Sequence, residues 1–156
     1  AMDGSSLAET ALLPAAHLVS ALAQPTQGIL HLLHVVEPSV FGANEDVLSQ
    51  RNAEEREHAQ AYLQHVRERL LVQTRDLNLQ ITWAVTTAQD VADTIVTSSE
   101  KGTESRGGNE CDLLAMATHG RGGIERWVMG SVTERVLEAT PVPMLVVRPP
   151  QDALHT

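Results

Sequence analysis

Hydrophobic and polar positions along the chain fall into two alternating kinds of segment. Gly28-Ile-Leu-His-Leu-Leu-His-Val-Val36 is a nearly continuous aliphatic run closed by Glu37-Pro38. It is too short for a typical helix and reads as a strand buried on both faces. Leu79-Gln-Ile-Thr-Trp-Ala-Val85 alternates more, as a strand nearer a sheet edge does. Asp112–Ala117 and Val142–Arg148 are two further short apolar runs that predict buried strands. Between these runs the apolar spacing becomes helical. Ser6-x-x-Glu9 has the form of a capping box and opens a predicted helix reaching about Leu22. A long polar helix is predicted from Glu45 to about Arg75, with Ala59, Leu63, Val66 and Leu70 on one face. A third runs from Asp90 to about Ser98 and buries Val91 and Ile95. Ser131-x-x-Glu134 is a second capping box, starting a helix that carries Val132, Val136 and Leu137 until Pro141 stops it.

Helices and strands therefore alternate, which implies right-handed crossovers and a parallel sheet covered by helices on both faces: a doubly wound α/β sandwich of three layers. One domain is expected over residues 1–150. The polar, glycine-rich stretch at 97–110 is expected to form a mobile surface loop, with residues 151–156 as a frayed tail. The order contains one anomaly. The first helix begins directly after Ala1-Met2-Asp3-Gly4, without the central strand that normally precedes it.

Composition narrows the chemistry. The 156 residues are 42% hydrophobic and carry a formal net charge of -9, which fits a folded domain rather than a disordered chain. No apolar run approaches the roughly 18 residues of a membrane span, and no basic-then-apolar leader pattern opens the chain. The acidic balance lacks the cationic stripe that a nucleic-acid backbone requires. Cys111 is the single cysteine, so no internal disulfide forms, and it suits a reducing compartment as a small buried hydrophobe. Lys101 is the single lysine, which removes P-loop, Schiff-base and kinase-type chemistry.

The stretch richest in chemistry runs from Met116 to Glu134. It leaves a buried strand, crosses a glycine-containing loop and enters a helix. Ligands of open α/β sheets bind beyond the carboxyl ends of the strands, where this loop falls. Main-chain N–H groups of the helix's first turn, at Val132 and Thr133, offer an anion site. Gly120 and Gly130 allow close backbone approach, and the hydroxyls of Ser131 and Thr133 add donors. The plain alternative is a tight loop before a well-capped helix, since neither generic nucleotide fingerprint is present.

These residues resemble the universal stress protein family, whose nucleotide-binding members carry G-x-x-G, nine residues, then G-[ST]. Here the pattern stands as Ala117-x-x-Gly120, nine residues, then Gly130-Ser131. Asp3-Gly4-Ser5 is similar to the family's D-G-S, Leu33-His34-Val35-Val36 to its second-strand ending, and Pro141–Pro149 to its last strand. The resemblance implies a flavodoxin-like sandwich that binds ATP, with Mg²⁺ on the phosphates. It places Asp3 and Val35 at the adenine and ribose, and Met116 and Ala117 along the nucleoside. Gly120, Gly130, Ser131, Val132 and Thr133 would hold the phosphates. It further implies a homodimer through the last strand, Met144, Leu145, Val146 and Val147, and a cytoplasmic stress-response protein. The family's first strand would lie just before Asp3.

Two positions depart from the family pattern: Ala117 replaces its first glycine, and Gln89 stands where many members have glycine. Arg121 lies in the loop and is a candidate phosphate contact. Of the histidines, His31 and His34 point to opposite strand faces, and His58 and His65 lie nearly two helical turns apart, so no metal site is expected. A phospho-receiver domain of the same architecture would need an acceptor Asp at a strand's carboxyl end and a lysine on the last connection. Neither is present. The expected function is an ATP-binding sensor or regulatory module. The alternatives are a dimeric interaction module without nucleotide, and a slow ATP hydrolase.

Overall fold

The computed structural model describes residues 1–40, 44–101, 110–118 and 129–148. Its elements, in order, are α1 (Ser6–Glu9), α2 (Leu12–Leu22), β1 (Gly28–Val36), α3 (Glu45–Gln73), β2 (Leu79–Thr87), α4 (Val91–Lys101), β3 (Leu114–Ala117), α5 (Ser131–Ala139) and β4 (Met144–Val147). The expected first helix is thus two. Pro14 has no N–H to reach the carbonyl of Thr10, so the ladder breaks at Thr10–Ala11 and restarts at Leu12. The cap also differs from expectation. Ser5, not Ser6, caps α1, its hydroxyl accepting from the Ala8 amide at 3.1 Å. Glu9 turns away to Arg69 and Tyr62 on α3.

α3 is capped by Asn44, whose side chain accepts from the Val47 amide, with Glu45 and Asp46 in the first turn where the helix dipole favours them. Its buried residues are Ala59, Leu63, Val66 and Leu70, the face that the sequence spacing predicts. α4 extends to Lys101 and so takes up the first part of the expected loop at 97–110. Residues 102–109 and the tail at 151–156 lie outside the described residues.

β1 pairs with β2 in parallel from Gly28–Leu79 to Val36–Thr87, and β3 pairs with β4 in parallel. Helices cover both faces. On one, α2 and α3 pack Leu12, Ala16, Leu63, Val66 and Leu70 against Leu30 and Leu32. On the other, α4 and α5 pack Ile95, Val96 and Val136 against Leu33, Val35 and Met116. Gly28 admits α2 at close range, since a Cβ there would stand 2.7 Å from a Val19 methyl.

Ala1 and Met2 tie the two strand pairs together. The Met2 amide donates to the Leu33 carbonyl of β1 at 2.8 Å, forming a parallel bridge with His34. One residue earlier, the Ala1 nitrogen donates to the Ala115 carbonyl of β3 at 2.9 Å. Ala1 and Met2 therefore stand between β1 and β3, bonded to both. The two pairs are aligned as β2-β1-(Ala1, Met2)-β3-β4.

Candidate functional site

Three chain segments converge where β1 and β3 end. The first is Asp3-Gly4-Ser5. The Asp3 carboxylate accepts from the Ser5 amide at 2.9 Å and the Ser5 hydroxyl at 2.7 Å. Gly4 takes φ 81°, a left-handed conformation that a side chain would oppose. Asp, Gly and Ser are thus each required by the turn itself: a side-chain acceptor, a left-handed residue and a helix cap. The Met2–His34 bridge places this turn beside Val35.

The second segment is the end of β3. Ala117 is buried and extended, and no non-glycine residue among those described has positive φ. The methyl group standing where the family pattern has glycine is therefore accommodated without backbone strain. Met116 is buried too, its side chain in the core beneath α4 and α5 rather than at the surface.

The third segment is the start of α5. Gly130 occupies the cap position with φ -59° and ψ 141°, and no side chain caps the helix. Ser131 is consequently the first helical residue, not the cap its sequence pattern predicts, and its side chain is exposed. The Gly130 amide is engaged, donating to the Thr118 carbonyl at 2.7 Å. Thr118 in turn donates its amide to Val147 of β4 at 2.8 Å, so Thr118 and Gly130 are both tied to the sheet. The Thr133 hydroxyl is likewise engaged, donating to the Ala117 carbonyl at 3.0 Å. The amides of Ser131, Val132 and Thr133 precede the first intrahelical bond, which Glu134 makes to Gly130 at 2.9 Å. Gly120 and Arg121 lie outside the described residues.

The site rests on a polar brace. The Tyr62 ring meets His34 edge-on, centroids 6.0 Å apart, while its hydroxyl donates to Glu9 at 3.0 Å. Burial first, and then the Glu9 carboxylate, push the Tyr62 phenol well above its ordinary range. Between the helices of the opposite face, Arg135 of α5 pairs with Asp90 at 2.6 Å. That hydrogen bond, with the Asp93 amide, holds the exposed Asp90 carboxyl below its usual value. Among the described residues no three acidic, histidine or cysteine side chains group as metal ligands. No described helix is long and apolar enough to cross a membrane.

Two roles are not legible in the residue pattern: Ser5 as the cap of α1 and Thr118 as a main-chain anchor. Ser6-x-x-Glu9 carries the stronger cap signature, which hid Ser5. Thr118 acts through its main chain, which leaves no mark on side-chain spacing.

A parallel sheet between helical layers, with one helix N-terminus open at its carboxyl edge, defines a doubly wound α/β protein of flavodoxin-like class. The chain belongs to the universal stress protein family, whose profile it matches over residues 1–148. A curated relative, universal stress protein MJ0531 of Methanocaldococcus jannaschii, is 45% identical over 42 residues, 27% of this chain and 25% of that protein. Among solved structures, universal stress protein UspA from Lactobacillus plantarum superposes with TM-score 0.69 at 23% identity, over 94% of this chain and 93% of that one. The hypothetical protein MJ0577, subject of a structure-based assignment of biochemical function, gives TM-score 0.66 at 23% identity, over 96% and 93%. Both structural likenesses establish the fold.

Proposed function

We propose that the cleft at the carboxyl edge of β1 and β3 binds ATP, and that the protein is a nucleotide-dependent stress-response sensor or regulatory module in the cytoplasm. The observation that carries this reading is the set of amides at Ser131, Val132 and Thr133, which have no acceptor among the described residues and open at the sheet edge beside Ala117. Such a helix start favours an anion by about 0.3–1 kcal/mol at an exposed site. Asp3 and Val35 border the same edge and would take the adenine and ribose. Met116 contributes main chain rather than side chain. Gly120 and Arg121 complete the phosphate loop by sequence position, and Mg²⁺ would ride on the phosphates.

Hydrolysis has little support in these residues. No lysine stands in the loop sequence, and Asp3, the acidic group at the edge, is engaged with Ser5. Electrostatic stabilisation of phosphoryl transfer is correspondingly thin. A homodimer through Met144–Val147 fits the fold: all four residues are half-buried, and β4 pairs only with β3 among the described strands.

Calorimetric titration with ATP and Mg²⁺ tests the reading; binding is expected at sub-millimolar nucleotide. Ser131→Glu should abolish it while preserving the fold, since a carboxylate at the first helical position suits the dipole but repels phosphate. No heat with the unaltered chain defeats the proposal and leaves a dimeric interaction module.

A further inference from the structure

Among the described strands β2 pairs only with β1, so its other side is a sheet edge. The Gly28 amide donates to the Asn78 carbonyl, and the Ala88 amide to the Val36 carbonyl. Main-chain groups alternate sides along a strand, so the even-numbered residues of β2 face β1. The N–H and C=O groups of Ile81, Trp83 and Val85 therefore point outward along the open edge. At Ile81 that edge is covered. Arg67 of α3 donates from Nε to the Ile81 carbonyl at 3.0 Å. Open edges are commonly blunted by charges or proline on the strand itself. Leu79–Thr87 has neither over its nine residues, and no glycine. An uncharged strand of this kind is a template for pairing with its own copy. The charge at this edge comes instead from the neighbouring helix, one residue past the buried Val66.

We propose that Arg67 guards this edge and holds off β2 of a second copy of the chain. The pairing it blocks is a two-fold antiparallel one centred on Trp83. In that register the two Trp83 residues exchange both main-chain bonds, and each Ile81 carbonyl accepts from Val85 of the other copy. That carbonyl is the acceptor Arg67 already fills. The block acts twice, once at each end of the symmetric pair. An incoming strand must either displace the guanidinium or enclose it. Displacement exchanges a charge-assisted hydrogen bond for a neutral one about half as strong. Enclosure takes the charge out of water, which costs more than a ladder bond returns. The guard also suits the dimer proposed above, in which β4 is the joining edge. A second open edge on each chain would continue the sheet from dimer to dimer without closure. The role of Arg67 itself rests on neither the dimer nor the nucleotide.

The test compares the parent chain with Arg67→Met, Arg67→Ser, Arg67→Lys and the double variant Arg67→Met/Val85→Pro. Light scattering from micromolar to about millimolar protein reads assembly, and amide exchange at Trp83 reads where it occurs. Met and Ser both remove the charge and the donor, the second without adding apolar surface. Both are expected to reach at least twice the parent's mass as concentration rises, with the Trp83 amide slowed about tenfold or more. Arg67→Lys keeps a charge at the edge and should stay at the parental mass. Val85→Pro deletes an outward amide without touching the ladder to β1, so the double variant should return to the parental mass. Met and Ser chains of parental mass with unchanged Trp83 exchange would overturn the proposal, leaving Arg67 as an anchor of α3 alone. Assembly without slowing at Trp83 would overturn it too, because the copies would then meet elsewhere. So would assembly that persists in the double variant.

Discussion

The hydroxyl of Thr133 donates to the carbonyl of Ala117 at 3.0 Å, tying the first turn of α5 to the last residue of β3. This bond sets where the open helix start stands relative to the sheet edge. Both groups are buried, so removing the donor strands an acceptor. Thr133→Val keeps the shape and should cost about 1–3 kcal/mol, read as a lower urea midpoint. Thr133→Ser should retain most of the stability and, on the reading above, most of the ATP affinity. If Val and Ser variants unfold alike, the bond does not hold the helix.

The core beneath α3 makes a second prediction. Leu63 and Leu70 are almost completely enclosed between helix and sheet, whereas Val72, two residues after Leu70 and on the opposite side of the helix, is 72% exposed. Truncating Leu63 or Leu70 to Ala leaves a cavity and should cost about 2–5 kcal/mol. Val72→Ala should stay within about 0.5 kcal/mol of the parent. Equilibrium denaturation separates these cases directly.

How far the sequence discloses this molecule depends on what carries the information. β1 and the buried face of α3 are legible because continuous aliphatic runs and i, i+4 spacing are properties of side chains. The break at Thr10–Ala11 carries no mark at its own position, because Pro14 acts four residues upstream, on a carbonyl. At α5 the Ser131-x-x-Glu134 signature suggests a Ser cap, yet Thr133 reaches back to Ala117 and draws the helix start one residue earlier, to Gly130. A tertiary bond thus overrode a local one. The family pattern of glycines carries the rest of the site, because amides that are open to a ligand have no signature in residue type.

Gly4 offers a third test. Its φ of 81° lets Asp3 fold back onto Ser5 while Ser5 caps α1. A Cβ in this region costs about 1–2 kcal/mol, so Gly4→Ala should lower stability by that amount. Gly4→Asn should cost less, since Asn tolerates left-handed backbone. A shift in Asp3 is also expected, visible as weaker ATP binding in Gly4→Ala than in Gly4→Asn. Equal stability of all three would mean the turn relaxes freely.

The last prediction concerns pH and the enclosed nitrogen of Ala1. Desolvation lowers its pKa from 8.0 to about 6, against smaller opposing effects of Cys111 and Asp3. The unfolded chain therefore binds more protons than the folded one across this window, and stability rises with pH there. Above about pH 8 the amine is neutral in both states and contributes nothing. Descending from pH 8 to about 6, the folded state loses about 2–3 kcal/mol relative to a chain without the group. Acetylating Ala1 removes the titration, so urea midpoints of the acetylated and free chains should agree above pH 8. They should diverge below it and hold a constant gap under about pH 6. All other groups are common to both chains, so the difference isolates Ala1. Parallel profiles across pH 5–9 would show that the nitrogen is hydrated rather than enclosed.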